Sequence, residues 1–549
     1  MWRWGRWFLL AFLTVRLWFW VGAFPNPDEA YYWLWGQHPS FSYYDHPPFH
    51  AWVQGLFSTL LGRSTWVLRL SNLVSNGILA VTLYRVGRYL YGEDGEDRLW
   101  LMILLLVASP LFFLFLAMAW HDHWLVTLAV LSSFDFVRFV DGYQADGHGK
   151  SRPLYRSALF LGLAGLSKYN AVFVGLGFLV TLLTQRSLRR LFLDFRLYLA
   201  LGITILTLSP ILIWNWQQGF ASFQFYGERT SDNGLTLNVL QPLVFLLLCA
   251  LILGPIHSWG LWRIGRRWRR VNQTFVRPSL YPVVAGWIFA LSTGTFVALS
   301  LVSVALYYWN ILAYPLLFPL LADRFYRPSR LPDSDQADTS YGEIPPSQPR
   351  QLQDQPDRDG LLPLRYPRQM IAAQGLGLFT VVVLTIHYTI IPITALFGPA
   401  DHDSAALFGW DAIAAAVTAQ AEPLDNPLLL TTDYRSAGAL AYQLDNPNVL
   451  AISGRIDQTD FWYDIEALDG RDAVLLGEDW HPICPAHLAM FERTGSSQTL
   501  TIRRFGRPIQ TYHLVTGYGL RAKDIGSPLD PAYPLAFTTD GERCQPDAP

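Results

Sequence analysis

Apolar positions gather into runs of about 18–25 residues as far as about residue 396, each long enough to cross a ~30 Å hydrocarbon core as a helix. The pattern predicts membrane helices near 5–24, 66–91, 98–119, 123–140, 157–184, 196–214, 238–262, 279–303, 309–324 and 370–396. The run 157–184 has Gly, Ser and Lys168 at its middle and basic residues on both flanks. Two short helices that dip in and return fit those flanks better than one crossing, which brings the expected total to about eleven segments. The first run follows Arg3 and Arg6 but contains Arg16, lacks a small-residue cleavage site and ends in bulky aromatics. It reads as a retained anchor helix and not as a secretory signal.

From about residue 400 the period changes. Short β-like runs (427–432, 449–453, 473–476 and 500–504) alternate with helical stretches at 410–421 and 436–444. Such alternation predicts a compact soluble α/β or α+β domain. The expected organisation is a membrane core over 1–327, a Pro/Gln/Asp-rich cytoplasmic linker over 328–367, a last membrane helix over 368–399 and the soluble domain over 400–549.

Charge orients this arrangement. Arg263, Arg266, Arg267, Arg269 and Arg270 crowd one connection, Arg186, Arg189 and Arg190 another, and Arg138, Lys150, Arg152 and Arg156 flank a third. The alternate loops 25–65, 119–123 and 215–237 hold few basic residues, so the positive-inside rule places them outside the cytoplasm, together with the C-terminal domain. The net charge of −2 and the 15% content of charged residues give no support to nucleic-acid binding. Of three cysteines, Cys249 lies in an apolar run. An oxidising exterior would permit a Cys484–Cys544 disulfide, which sequence alone does not establish.

Candidate chemistry collects in the outer loops. Pro27 precedes Asp28 and Glu29, as at a helix start where the dipole favours acids. The Tyr and Trp residues that follow read as an interfacial belt. Asp28, however, shares its loop with Tyr43, Tyr44, Asp45, His46 and His50, a set of carboxylates and imidazoles suited to proton transfer at a low-dielectric boundary. His121-Asp122-His123 in the second outer loop reads equally as part of a site or as a solvated turn. Arg69 is either a snorkelling side chain or a phosphate clamp. Lys168 is a charge within a membrane segment and so a functional suspect. Arg229 closes an aromatic, amide-rich loop that begins at Trp214-Asn215.

These residues resemble a known group. Asp28-Glu-Ala-Tyr-Tyr-Trp, Tyr44-Asp-His-Pro-Pro, Arg69-Leu-Ser, Asp122, Gly165-Leu-Ser-Lys-Tyr and Pro210-Ile-Leu-Ile-Trp-Asn, in that order, are similar to protein O-mannosyltransferases and bacterial aminoarabinose transferases. These belong to the C-type glycosyltransferase superfamily, which uses polyprenyl-phosphate sugars. The resemblance implies an inverting transfer from a polyprenyl-phosphate donor to a lipid, glycan or protein acceptor at the outer face of the cytoplasmic membrane. It implies Asp28 as the acid that engages the acceptor, with Glu29 orienting it. Arg69, Lys168, Arg229 and His46 are then expected at the donor phosphate, and Tyr44, Asp122, His123 and Asn215 around the substrate. Asp45 matches a position near a divalent metal, although His46 stands where the aminoarabinose transferases usually have Lys. A secondary transporter or lipid flippase is the competing class, but no internal repeat accompanies the charges.

Overall fold

In a computed structural model of the chain, the described residues are 3–231, 237–326, 366–453 and 455–522. The expected linker thus falls outside them except at its last residues, and Cys544 of the expected disulfide also lies outside. The protein is a polytopic helical membrane protein with a C-terminal sheet domain. Among the described residues, four helices are long and apolar enough to cross a membrane, or up to seven if each sharply bent helix pair is one span.

α1 (Arg3–Gly22) ends at a short loop, and α2 (Pro27–Gln37) leaves it at an angle of 63°. Asn26 starts α2 by a reciprocal cap: its Oδ1 accepts from the Asp28 N–H at 3.0 Å, and the Glu29 carboxylate accepts from the Asn26 N–H at 2.8 Å. α3 (Phe49–Leu61) packs on α2 where Gly36 meets Gly55; a Cβ on Gly36 would lie 2.6 Å from the Gly55 backbone nitrogen. α4 (Thr65–Tyr91) follows. The expected helix 98–119 is interrupted: α5 (Gly95–Ala108) stops at Ser109, and Pro110 restarts the chain as the short α6 (Pro110–Phe115).

α7 (Asp122–Asp146) packs against α8 (Ser151–Ser167), and α9 (Val172–Thr184) begins beyond a break at Lys168, so the run 157–184 forms two helices, as expected. α10 (Phe195–Gln217) leads to α11 (Ala221–Ser231). The expected helix 238–262 is two helices, α12 (Gln241–Leu253) and α13 (Pro255–Arg266), bent by 110°. Gly254, at a φ of 110°, and Pro255 make that bend. After α14 (Tyr281–Leu299), the expected helix 309–324 is mostly 3₁₀ turns over Tyr307–Ala313 and Pro315–Leu317, followed by the short α15 (Phe318–Phe325). Pro315 and Pro319 each remove an N–H that a continuous helix would need. α16 (Tyr366–Thr389) completes the membrane part and contacts α1 and α5.

The C-terminal domain begins with α17 (His402–Ala405) and α18 (Trp410–Ala421), then β1 (Leu428–Thr431), α19 (Tyr434–Leu444), β2 (Val449–Ala451) and β3 (Ala473–Glu478). α20 (Pro485–Ala489), β4 (Phe491–Thr494), β5 (Gln498–Arg504) and β6 (Arg507–Leu520) follow. The sheet order is β2-β1-β3-β6-β4, with β5 also paired to β6. β1 runs parallel to β2 and β3, whereas β6 is antiparallel to β3, β4 and β5. All six residues of β3 are buried, as suits a central strand.

This domain sits directly on α2. A Cβ on Gly438 of α19 would come within 2.8 Å of the Tyr31 backbone nitrogen and Cα. The Gln458 N–H donates to the Tyr31 hydroxyl at 2.8 Å, the Tyr44 N–H donates to Gln458 Oε1 at 2.7 Å, and His38 stacks on Trp462 at 4.3 Å. Replacing Gly438 with Val should therefore push α19 off α2. We expect a loss of about 1–3 kcal/mol, the usual range for overpacking, measured as faster proteolytic release of the C-terminal domain from detergent-solubilised protein.

Candidate active site

The site grows from the capped end of α2. Glu29 and Arg69 form a fully buried ion pair, with Nη2–Oε2 at 2.8 Å and Nε–Oε1 at 3.1 Å. Glu29 Oε1 also accepts from the Ala119 N–H, and Arg69 Nη1 donates to the carbonyls of Phe19, Trp20 and Ala23 at 3.0–3.2 Å. Arg69 thus meets Glu29, the chain neighbour of Asp28. The phosphate role expected for Arg69 is corrected here: its three guanidinium nitrogens are spent on Glu29 and on the end of α1, and none of its surface is exposed. It is a positioning residue.

Glu29 points inward, so Asp28 takes the other direction. Its carboxyl is raised to about 6, chiefly by burial; Arg435 and Arg455 oppose the rise and Asp45 and Asp403 add to it. Asp28 and Tyr32 share a face of α2 at i,i+4. The Tyr32 ring lies 5.9 Å from His46 and 4.2 Å from His121, and His46 and His121 are 4.6 Å apart. The Tyr226 hydroxyl of α11 donates to the Asp45 carbonyl at 2.7 Å and stands 3.4 Å from His46 Nδ1. One helix face thus links the carboxylate to the imidazoles.

Lys168, just past α8, grips Asp122 at the start of α7, with Nζ 2.8 and 2.9 Å from the two carboxylate oxygens. Its ammonium also lies 5.5 Å from the Tyr308 ring. Two expected substrate contacts are corrected. His123 is completely buried, and its Nδ1 lies 2.7 Å from the Ser75 hydroxyl. Asn215 is equally buried: it donates to the Ile211 carbonyl at 3.1 Å and accepts from the Ser222 N–H at 3.2 Å, holding the α10–α11 turn. Both spend their polar atoms inside the protein. Tyr44 is buried between Phe225 and Phe461, at 5.1 and 5.5 Å, a packing position at the seam of core and domain. The Arg229 side chain lies outside the described residues.

Among the described residues, three ligand-type side chains converge closely enough for an ion at His402, Glu478 and His481 of the C-terminal domain, and not at Asp45.

Sequence reasoning missed the residues that the C-terminal domain brings to Asp28. Arg435 is held by Asp433 at 3.2 Å and Asp403 at 3.6 Å. The Arg455 guanidinium lies over the Tyr434 ring at 4.8 Å, and Tyr434 in turn meets Tyr31 at 4.7 Å. Asp433 caps α19 by accepting the Arg435 N–H at 3.0 Å, and an Asp-Tyr-Arg triplet at a helix start was the available signal.

Residues 45–214 match the family model described as dolichyl-phosphate-mannose-protein mannosyltransferase. Lipid A galacturonosyltransferase RgtD of Rhizobium johnstonii is 25% identical over 242 residues, 44% of this chain and 49% of that protein. The chain therefore spans about half the length of the curated relative it matches. Two crystal structures of ArnT from Cupriavidus metallidurans share the fold. The form bound to undecaprenyl phosphate has a TM-score of 0.61, 16% identity and coverage of 93% of this chain and 98% of that one. The apo form has a TM-score of 0.57, 16% identity and coverage of 92% and 97%. The chain resembles the C-type glycosyltransferases and, within them, the branch of protein mannosyltransferases and ArnT.

Proposed function

We propose that the protein is a membrane glycosyltransferase that moves a sugar from a polyprenyl-phosphate donor to an acceptor hydroxyl or amine. The observation that carries this reading is Asp28: a carboxylate with a raised pKa, fixed by the Glu29–Arg69 pair and faced by arginines of a second domain, in the fold of a protein crystallised with undecaprenyl phosphate. Basic loops on one side and the Asp28 loop on the other favour a core of about eleven membrane segments with site and C-terminal domain outside the cytoplasm.

In the proposed reaction the acceptor atom attacks the anomeric carbon while the bond from that carbon to the phosphate oxygen breaks, inverting the centre. The acceptor proton passes to the Asp28 carboxylate, and the bonding pair leaves with the lipid phosphate. Charge grows on that phosphate, so fixed cations lower the barrier more than they tighten ground-state binding. Lys168 and His46 are the proposed phosphate contacts; Asp122 orients Lys168, and Tyr44 shapes the wall at the seam. Arg435 and Arg455 keep Asp28 ionised at neutral pH despite its burial.

The acid limb of kcat/KM is expected to centre near pH 6. Below that value Asp28 takes up a proton and the base is lost, so the rate falls tenfold per pH unit. An ordinary carboxylate would place the limb near 4. Proteoliposomes given labelled polyprenyl-phosphate sugar and cell-envelope acceptors test the function itself. Covalent labelled product supports transfer; uptake of donor without covalent product would point to a transporter or flippase and end this reading.

A further inference from the structure

β3 ends on Glu478, and the chain turns straight back through Asp479 and Trp480 to His481. Backbone bonds of 3.1 and 3.0 Å between Glu478 and His481 close that turn. His402, the first residue of α17, approaches from the segment that follows the last membrane helix. His481 Nδ1 lies 2.6 Å and His402 Nε2 3.3 Å from Glu478 Oε1, and the three offered atoms are within 4.8 Å of one another.

The surroundings are arranged for a ligand set. The Glu478 side chain is 2% exposed, and a carboxylate so buried requires compensating charge. Its Oε2 is anchored by the Trp480 N–H at 2.9 Å and by the Gln510 amide, which leaves Oε1 to act as a single donor. On the far side of the His481 ring, Asp433 Oδ2 stands 3.7 Å from Nε2. An ion bound here would displace the proton between His481 Nδ1 and Glu478 Oε1, and Asp433, moving slightly closer, would hold the remaining ring proton on Nε2, as outer partners do around metal-bound histidine. Two imidazoles and one carboxylate suit zinc among the divalent transition metals, and three protein donors leave a fourth position open.

We propose that His402, Glu478 and His481 form a divalent metal site, with zinc the favoured ion and water in the fourth position. The metal would tie the segment after α16 to the central strand. Asp433, its outer partner, also caps α19 and holds Arg435, so the site would fix the cation that faces Asp28. This stands independently of sugar transfer. Two protonated imidazoles around the carboxylate would give similar distances without a metal, and the following experiment separates the two.

Full-length protein purified in detergent on a histidine-free tag is stripped with a chelator and titrated with cobalt(II), then with zinc. The expected result is about one cobalt per chain after gel filtration, with the visible d–d absorption of a four-coordinate ion that zinc displaces. Zinc should also raise the melting temperature. Asp433→Asn should weaken binding about 10–100-fold, and His402→Ala with His481→Ala should abolish the cobalt spectrum. Wild-type protein that retains no cobalt, or a double variant that keeps the wild-type spectrum, overturns the proposal. The wild-type titration decides even if the double variant fails to fold.

Discussion

Asp28→Asn is expected to lower sugar transfer by about 10²–10⁴-fold, the range ascribed to a general base, while the protein still inserts and folds. Asparagine keeps the size of the side chain but cannot take the acceptor proton at neutral pH. The raised pKa makes this a clean test. A folded state that holds a proton more tightly than the unfolded chain loses stability as pH rises from about 4 through about 6. Removing the titrating group removes that loss, so the variant should be no less stable than wild type at pH 7. The measurements are single-turnover transfer with saturating donor and a melting curve on the same sample. Near-wild-type turnover by folded Asp28→Asn protein would take Asp28 out of the mechanism.

Arg69→Met should instead act on the fold. It leaves the Glu29 carboxylate buried without its cation and releases the carbonyls of Trp20 and Ala23. Breaking a buried pair from one side typically costs about 3–5 kcal/mol, a large part of a domain's net stability. Arg69→Lys should not rescue it, because one ammonium cannot bridge Glu29 and several carbonyls together. Glu29→Gln with Arg69→Met should be milder than either single change. The observable is the yield of monodisperse protein and its melting temperature. If Arg69→Met melted like wild type and lost only donor affinity, the guanidinium would be a phosphate contact after all.

Much of this was readable from the chain, and the failures share a cause. Pro27, Asp28 and Glu29 announced a helix start because capping is local chemistry, and the structure has that cap in full. α18 lies over Trp410–Ala421 as expected, and four of the six strands among the described residues lie on the expected runs. Two strands escaped. β4 is short and carries exposed charged residues, and β6 has Gly517 and Gly519 within it. The breaks at Ser109 and Gly254 were hidden by apolar residues on both sides, since hydropathy sees length and misses bends.

The candidate site divides the same way. Residues near Asp28 in the chain could be proposed from their spacing alone. Arg435 and Arg455 could not, because they reach it only when α19 docks on α2, and no periodicity encodes the meeting of two faces about 400 residues apart. Arg69 was read as a phosphate contact, since nothing local shows that residues 29 and 69 pair. Likewise, Glu478 and His481 are visible as a short spacing, but His402 joins them only in the folded domain.

The carbonyls that Arg69 collects also bear on how the chain assembles. An inserting α1 reaches the lipid with the peptide oxygens of its last turn unsatisfied. Trp20 and Ala23 find their donor only when α4 enters beside them with its guanidinium. The first helix is therefore an incomplete insertion product until the fourth arrives. A ribosome paused between the two should leave a nascent chain that quality-control proteases remove, and one paused after α4 should leave a protected pair.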